Sequence, residues 1–216
     1  MTGQRFADRA EAGRALGERL MRFARRADVL VLALPRGGVP VAFEVARALQ
    51  APLDLLLVRK LGVPGHEELA MGAIASGGEP VLNAETIGAL GISADAVDEV
   101  VARERHELER REREYRPDRP PPAVRGRTVI LVDDGLATGS TMYAAALAVR
   151  AAEPARIVVA IPTASGEACD WLATVADEVI AVITPEPFYA VGSWYVEFAQ
   201  TSDDEVRALL AGSAMA

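Results

Sequence analysis

Five short apolar runs punctuate the chain, and segments of helical period lie between most of them. The runs are Asp28–Leu34, Leu53–Val58, Arg127–Val132, Arg156–Ile161 and Glu178–Ile183. The first stops at Pro35, Gly37 and Gly38; the third stops at Asp133 and Asp134. Runs this short and this continuously apolar are strands buried on both faces. Helical period is read over Ala7–Arg26, where Leu16, Leu20 and Phe23 share one face, and over Val39–Gln50, Ser140–Ala152 and Cys169–Val175. Pro40 suits the first turn of its helix. Strand and helix in alternation predict an α/β fold, a parallel sheet flanked by helices. Ligands of such sheets bind outside the carboxyl ends of the strands, so the residues just after each run are the ones to read for function.

Between the second and third runs lies a long insertion, 62–122. Gly62–Glu79 holds five glycines and predicts a mobile loop leading into a small hairpin. Ser93–Arg116 is helical in pattern with Ser93 as its N-cap. Its stretch Glu104–Tyr115 is nearly all charge and is expected to be a solvated helix face. Pro117, Pro120, Pro121 and Pro122 predict a stiff linker back to the sheet. The whole, 1–216, is expected to be one domain carrying this insertion and a carboxyl-terminal tail, 185–216.

Composition narrows the function. Acidic residues outnumber basic ones, 31 to 23, which argues against a duplex DNA binder. No apolar stretch approaches the ~20 residues that span a bilayer, and Met1–Phe23 has no secretory pattern, so a cytoplasmic protein without membrane contact is expected. One cysteine and two histidines, Cys169, His66 and His106, are too few for the usual closed zinc site; a divalent ion is expected to be magnesium, held by carboxylates and a phosphorylated substrate. The basic residues comprise 22 arginines and the single Lys60. Arginine and lysine differ in close quarters, which marks Lys60 as a position where a compact ammonium is needed.

The most informative segment is Val129-Ile-Leu-Val-Asp133-Asp134-Gly-Leu-Ala137-Thr138-Gly139-Ser140-Thr141. A buried strand delivers two carboxylates to its carboxyl end, and a turn of small residues then opens a helix. The amides of that helix start, with the hydroxyls of Thr138, Ser140 and Thr141, form an anion cradle. Carboxylates beside a phosphate cradle suit a phosphorylated sugar, with Asp133 and Asp134 accepting from ribose hydroxyls. The spacing excludes a Walker A loop, which needs a later second glycine and a lysine. It also excludes an aspartyl-phosphate phosphatase, whose two acids lie two residues apart.

This segment resembles the phosphoribosyl pyrophosphate signature of the type I phosphoribosyltransferases. The resemblance extends to Pro35-Arg36-Gly37-Gly38, which matches the family's pyrophosphate loop after the first core strand. It covers Asp28 to about Ile183, and the insertion fits only loosely. It implies transfer of the 5-phosphoribosyl group from phosphoribosyl pyrophosphate to a nitrogenous base, in the manner of nucleotide salvage, with magnesium. Arg36, Gly37, Gly38, Arg59, Lys60, Asp133, Asp134 and Ala137–Thr141 would bind phosphoribosyl pyrophosphate, with Asp133, Asp134, Lys60 and Arg36 in the chemistry. Arg59 and Lys60 are expected to end the second strand on the same sheet edge. A homodimer is implied. A sensor that binds phosphoribosyl pyrophosphate without turning it over remains an alternative.

The family covers its base with a hood. Here its expected parts are the Gly62–Glu79 loop and Pro185–Phe198, whose Phe188, Tyr189 and Trp194 are candidates to stack on a base. The hypoxanthine/guanine branch carries an aspartate where this chain has Ala137, which predicts poor use of hypoxanthine and guanine. Glu67 or Glu68 could then accept the proton of a different base.

Overall fold

The structure, a computed structural model, describes residues 5–115 and 120–213, apart from the side chain of Glu68. Five strands make the central sheet: β1 (Val29–Ala33), β2 (Leu53–Leu55), β6 (Thr128–Val132), β7 (Arg156–Thr163) and β8 (Glu178–Ile183). All pair in parallel, in the order β2-β1-β6-β7-β8. A second sheet of three antiparallel strands, β3 (Val58–Val63), β4 (His66–Ala75) and β5 (Val81–Leu82), belongs to the insertion. The α/β fold with a helix-flanked parallel sheet is therefore as the sequence predicts.

The alternation of strand residues explains the layers. Val29, Val31, Ala33, Ile130, Val132, Val158 and Ala160 face one way and bury against α1 (Arg9–Arg19) and α2 (Gly38–Leu49). Leu30, Leu32, Leu34, Val129, Leu131, Ile157, Val159 and Ile161 face the other way, onto α5 (Ser140–Ala151) and α6 (Gly166–Leu172). Both faces are covered, so β1 and β6 are buried at every residue. Burial of this kind contributes about 25 cal/mol per Å² of apolar surface. It is why these strands read as unbroken apolar runs.

The first helix is shorter than its periodicity suggests. Asp8 caps it by accepting from the Glu11 amide at 2.7 Å, and past Leu20 the chain tightens into a 3-10 turn, Met21–Phe23. The run Leu53–Val58 is two strands rather than one. β2 ends at Leu55, and after Leu56 and Leu57 the chain leaves for β3, where Arg59 pairs with Ile74 and Lys60 with Ala73. Arg59 and Lys60 thus belong to the second sheet, not to the edge of the first. No glycine or proline marks the break, and Leu55, Leu56 and Leu57 are all buried, so the segment reads as one apolar run.

Gly62–Glu79, expected as a loop before a hairpin, is largely the hairpin itself. A Cβ at Gly62 would lie 2.7 Å from the Glu67 carbonyl oxygen, and one at Gly72 would meet that of Val81. These glycines serve close approach of strands, with a bulge beside Gly62. After β5 come α3 (Ala84–Ala89) and the long α4 (Ala94–Tyr115), and α7 (Asp203–Ser213) follows the tail segment. Of the expected linker, Pro117 lies outside the described residues, as does Arg116 at the expected helix end.

Candidate functional site

The strand order reverses direction between β1 and β6, and a crevice opens at such a switch point. The Leu34 amide donates to the Val132 carbonyl at 2.9 Å, so the two strands end level and their following loops meet. A Cβ at Gly37 would fall on the Asp134 carboxylate. One at Gly38 would lie 2.7 Å from the Val132 oxygen and 2.9 Å from Asp133 Cα. The glycines of Pro35–Gly38 therefore let this loop, whose Pro35–Arg36 peptide is cis, lie directly on the acidic pair.

Asp133 and Asp134 occupy different surroundings. Asp133 Oδ1 accepts from the Asp134 amide at 2.8 Å. Burial, and then the neighbouring Asp134, push the Asp133 carboxyl well above the usual carboxylate range. Burial also raises Asp134, and Arg9 opposes that rise. Arg9 Nε and Nη2 both reach Asp134 Oδ2, at 2.9 and 2.8 Å, and Tyr195 Oη donates to the Asp134 carbonyl oxygen at 2.5 Å. Arg9 is a site residue that sequence reasoning missed. One local signal existed: it opens a helix, where the dipole disfavours a cation.

Beyond the acids, Gly139 takes a left-handed φ of 75° and α5 begins at Ser140. The amides of a helix's first turn lack intrahelical partners. Here they stand beside the exposed Ala137, Thr138 and Thr141, with Thr138 Oγ1 3.4 Å from Ser140 Oγ. A cavity of about 530 Å³ joins this helix start to the insertion. Pro35, Thr141, Arg59, Lys60 and Glu67 line it, together with Arg103, Glu104 and Arg111 of α4. A second, of about 390 Å³, shares Pro35 and Arg111 and adds Arg36, Arg110, Tyr115 and Asp203. Arg36 Nη1 lies 3.5 Å from Asp203 Oδ1, which also accepts from Tyr115 Oη at 2.5 Å. Burial and then this carboxylate push the Tyr115 phenol up to about 12.

Helix α4 is consequently more than a solvated face. Glu104 is 8% exposed and accepts from Arg59, Nε at 2.8 Å and Nη2 at 2.7 Å, and from Arg103 Nε at 3.1 Å. Leu108 is buried too. A buried acid that ties β3 to α4 looks, in a charge run, like every other acid in it.

The tail aromatics divide. Tyr195 is buried and Phe198 stacks on it at 4.9 Å, while the Arg9 guanidinium sits 4.0 Å above the Phe198 ring. Phe188 and Trp194 lie 6.5 Å apart, and Tyr189 is 81% exposed. Phe188, Tyr189 and Trp194 line neither of the two cavities.

Among the described residues no group of three or more His, Cys, Asp or Glu side chains could hold a metal ion. The donors at the strand end fit a hard cation only where substrate oxygens complete its shell, which is how magnesium is commonly bound. No helix among the described residues is long and apolar enough to cross a membrane.

An acidic pair and a helix-start cradle at the switch point of the β2-β1-β6-β7-β8 sheet place the chain among the α/β proteins that bind ligands in the crevice outside their strand ends. A family model described as phosphoribosyl transferase domain matches residues 7–169, and the chain belongs to that family, the type I phosphoribosyltransferases. A protein of Mycobacterium tuberculosis (strain ATCC 25618 / H37Rv), named "Putative phosphoribosyl transferase Rv0571c", is 48% identical over 205 residues, 95% of this chain and 46% of that protein. The chain spans about half the length of the curated relatives it matches. The crystal structure of TT1426 from Thermus thermophilus superposes with a TM-score of 0.90 at 44% identity, covering 97% of this chain and 99% of that one. The AQ2163 protein from Aquifex aeolicus, at 12% identity and a TM-score of 0.50 over 85% of this chain and 78% of that one, shares the fold.

Proposed function

We propose that this protein transfers the 5-phosphoribosyl group of phosphoribosyl pyrophosphate to a nitrogenous base. The observation that carries the reading is the contact of the Gly37–Gly38 loop with Asp133 and Asp134, one turn before the α5 cradle. The 5′-phosphate sits at the helix start, on the amides and hydroxyls of 138–141. Asp133 and Asp134 take the ribose side. Arg36 and Lys60 take the pyrophosphate side, and Arg59, bound to Glu104, braces the strand that carries Lys60.

In the reaction the bond from the anomeric carbon to pyrophosphate breaks, and its electron pair leaves with the pyrophosphate. A bond from that carbon to the base nitrogen forms, and the nitrogen's proton goes to a carboxylate or to solvent. The transition state resembles an oxocarbenium ion, as at other glycosidic centres. The protein's contribution is positioning and fixed charge: Lys60 and Arg36 meet the charge that grows on pyrophosphate, and the cradle anchors the phosphate remote from the reacting carbon. Asp133, with Asp134 beside it, would hold Mg²⁺ together with the substrate's own oxygens. Bound there, the ion supplies positive charge to the pyrophosphate. Glu67, which lines the larger cavity, is the candidate to accept the base's proton.

Pyrophosphate release from phosphoribosyl pyrophosphate and Mg²⁺, measured across a panel of bases, tests this. Release that depends on one base supports transfer. Binding without release by any base would make the protein a sensor.

A further inference from the structure

We infer that Arg9 is the positioning residue of the ribose site: it fixes Asp134, and through Asp134 it sets the place of Asp133. The inference rests on the function proposed above.

Arg9 makes three kinds of contact at once. Nε and Nη2 grip one carboxylate oxygen of Asp134, Nη1 donates to the Ala199 carbonyl at 2.6 Å, and the guanidinium plane covers the Phe198 ring. The side chain is 12% exposed and its Asp134 partner 15%. Such a fork holds geometry that a point charge does not. Asp134 in turn touches Gly37, its amide binds Asp133 Oδ1, and its carbonyl takes the Tyr195 hydroxyl. The first residue of α1, the pyrophosphate loop and the tail are thus joined at a single aspartate. A carboxylate committed to Arg9 and wedged against Gly37 is an anchor, and it leaves Asp133 as the acid that meets ribose.

The position of a ribose-facing acid matters to ligands that contain ribose and not to free pyrophosphate. Affinities of wild type, Arg9→Met and Arg9→Lys for ribose 5-phosphate, for phosphoribosyl pyrophosphate with Mg²⁺, and for inorganic pyrophosphate without Mg²⁺ separate these. For Arg9→Met we expect about tenfold weaker binding of both ribose ligands, the equivalent of ~1.4 kcal/mol, with pyrophosphate within twofold of wild type. Arg9→Lys, which keeps the charge and loses the fork, should fall between. Should Arg9→Met not fold, Arg9→Lys carries the same comparison. Equal losses for all three ligands, or no loss for any, overturn the positioning role. Failure of the wild type to bind either ribose ligand instead overturns the proposed function on which it rests.

Discussion

The hydroxyl of Tyr195 donates to the main-chain oxygen of Asp134 at 2.5 Å, across 61 residues of sequence. This bond closes the tail over the turn that follows β6, and Phe6 packs on the same ring at 5.7 Å. Tyr195→Phe leaves that packing in place and strands a carbonyl in a part-buried position. An unmade bond of this kind costs about 1–3 kcal/mol. The variant should lose that much stability, read as a lower denaturant midpoint with an unchanged m-value. An unaltered midpoint would mean that water replaces the phenol.

Asp133→Asn should stabilise the unliganded protein at neutral pH. Burial and Asp134 raise this carboxyl above its ordinary 3.8. A group whose folded pKa is raised contributes stability below its unfolded pKa and loses it as pH rises through the folded value. At pH 7 the wild type therefore carries a penalty that asparagine lacks, and near pH 4 the two should converge. Thermal unfolding of both proteins from pH 4 to 8 gives the answer; parallel curves would refute it. The same substitution removes a charge-assisted hydrogen bond worth ~1.5–3 kcal/mol from ribose, so the variant should gain Tm and lose affinity.

Lys60→Arg should impair use of phosphoribosyl pyrophosphate although charge is conserved. Lys60 lies on β3 and lines the larger cavity with Arg59 and Thr141. A planar guanidinium needs more room there than an ammonium. A rise in KM of about tenfold, ~1.4 kcal/mol, is expected in steady-state kinetics, and wild-type parameters would make the lone lysine an accident of composition.

Hypoxanthine and guanine should be poor acceptors. Ala137 is exposed at the cradle, and its carbonyl accepts from Ser165 Oγ at 2.9 Å. It offers no carboxylate to the base. General acid–base assistance is typically worth ~10²–10⁴-fold. Values of kcat/KM for hypoxanthine, guanine, adenine, uracil and orotate should rank the first two low. Efficient turnover of either would mean that another group manages the proton.

Much of this was legible because local chemistry and global position coincide. Val129–Thr141 reads as strand, acids and cradle since each feature is set by residues within a few positions. The same holds for Arg36–Gly38 after β1. The remainder depends on contacts that no local pattern encodes. Arg9 meets Asp134 only because α1 packs on α2, which starts at Gly38. The break between β2 and β3 is hidden because both sheets bury leucine. Arg103 and Arg111 line the larger cavity while their neighbours Arg105 and Arg113 do not, a matter of helix phase against the hairpin that the charge run masks.

Whether the acidic pair and the cradle take phosphoribosyl pyrophosphate decides the function most directly. Isothermal titration of wild type and of the Asp133→Asn, Asp134→Asn double variant with phosphoribosyl pyrophosphate and Mg²⁺ measures it. Saturable one-to-one binding by the wild type, lost in a double variant that still unfolds cooperatively, is the predicted result. No heat with the wild type, or equal affinity in the two proteins, would contradict it.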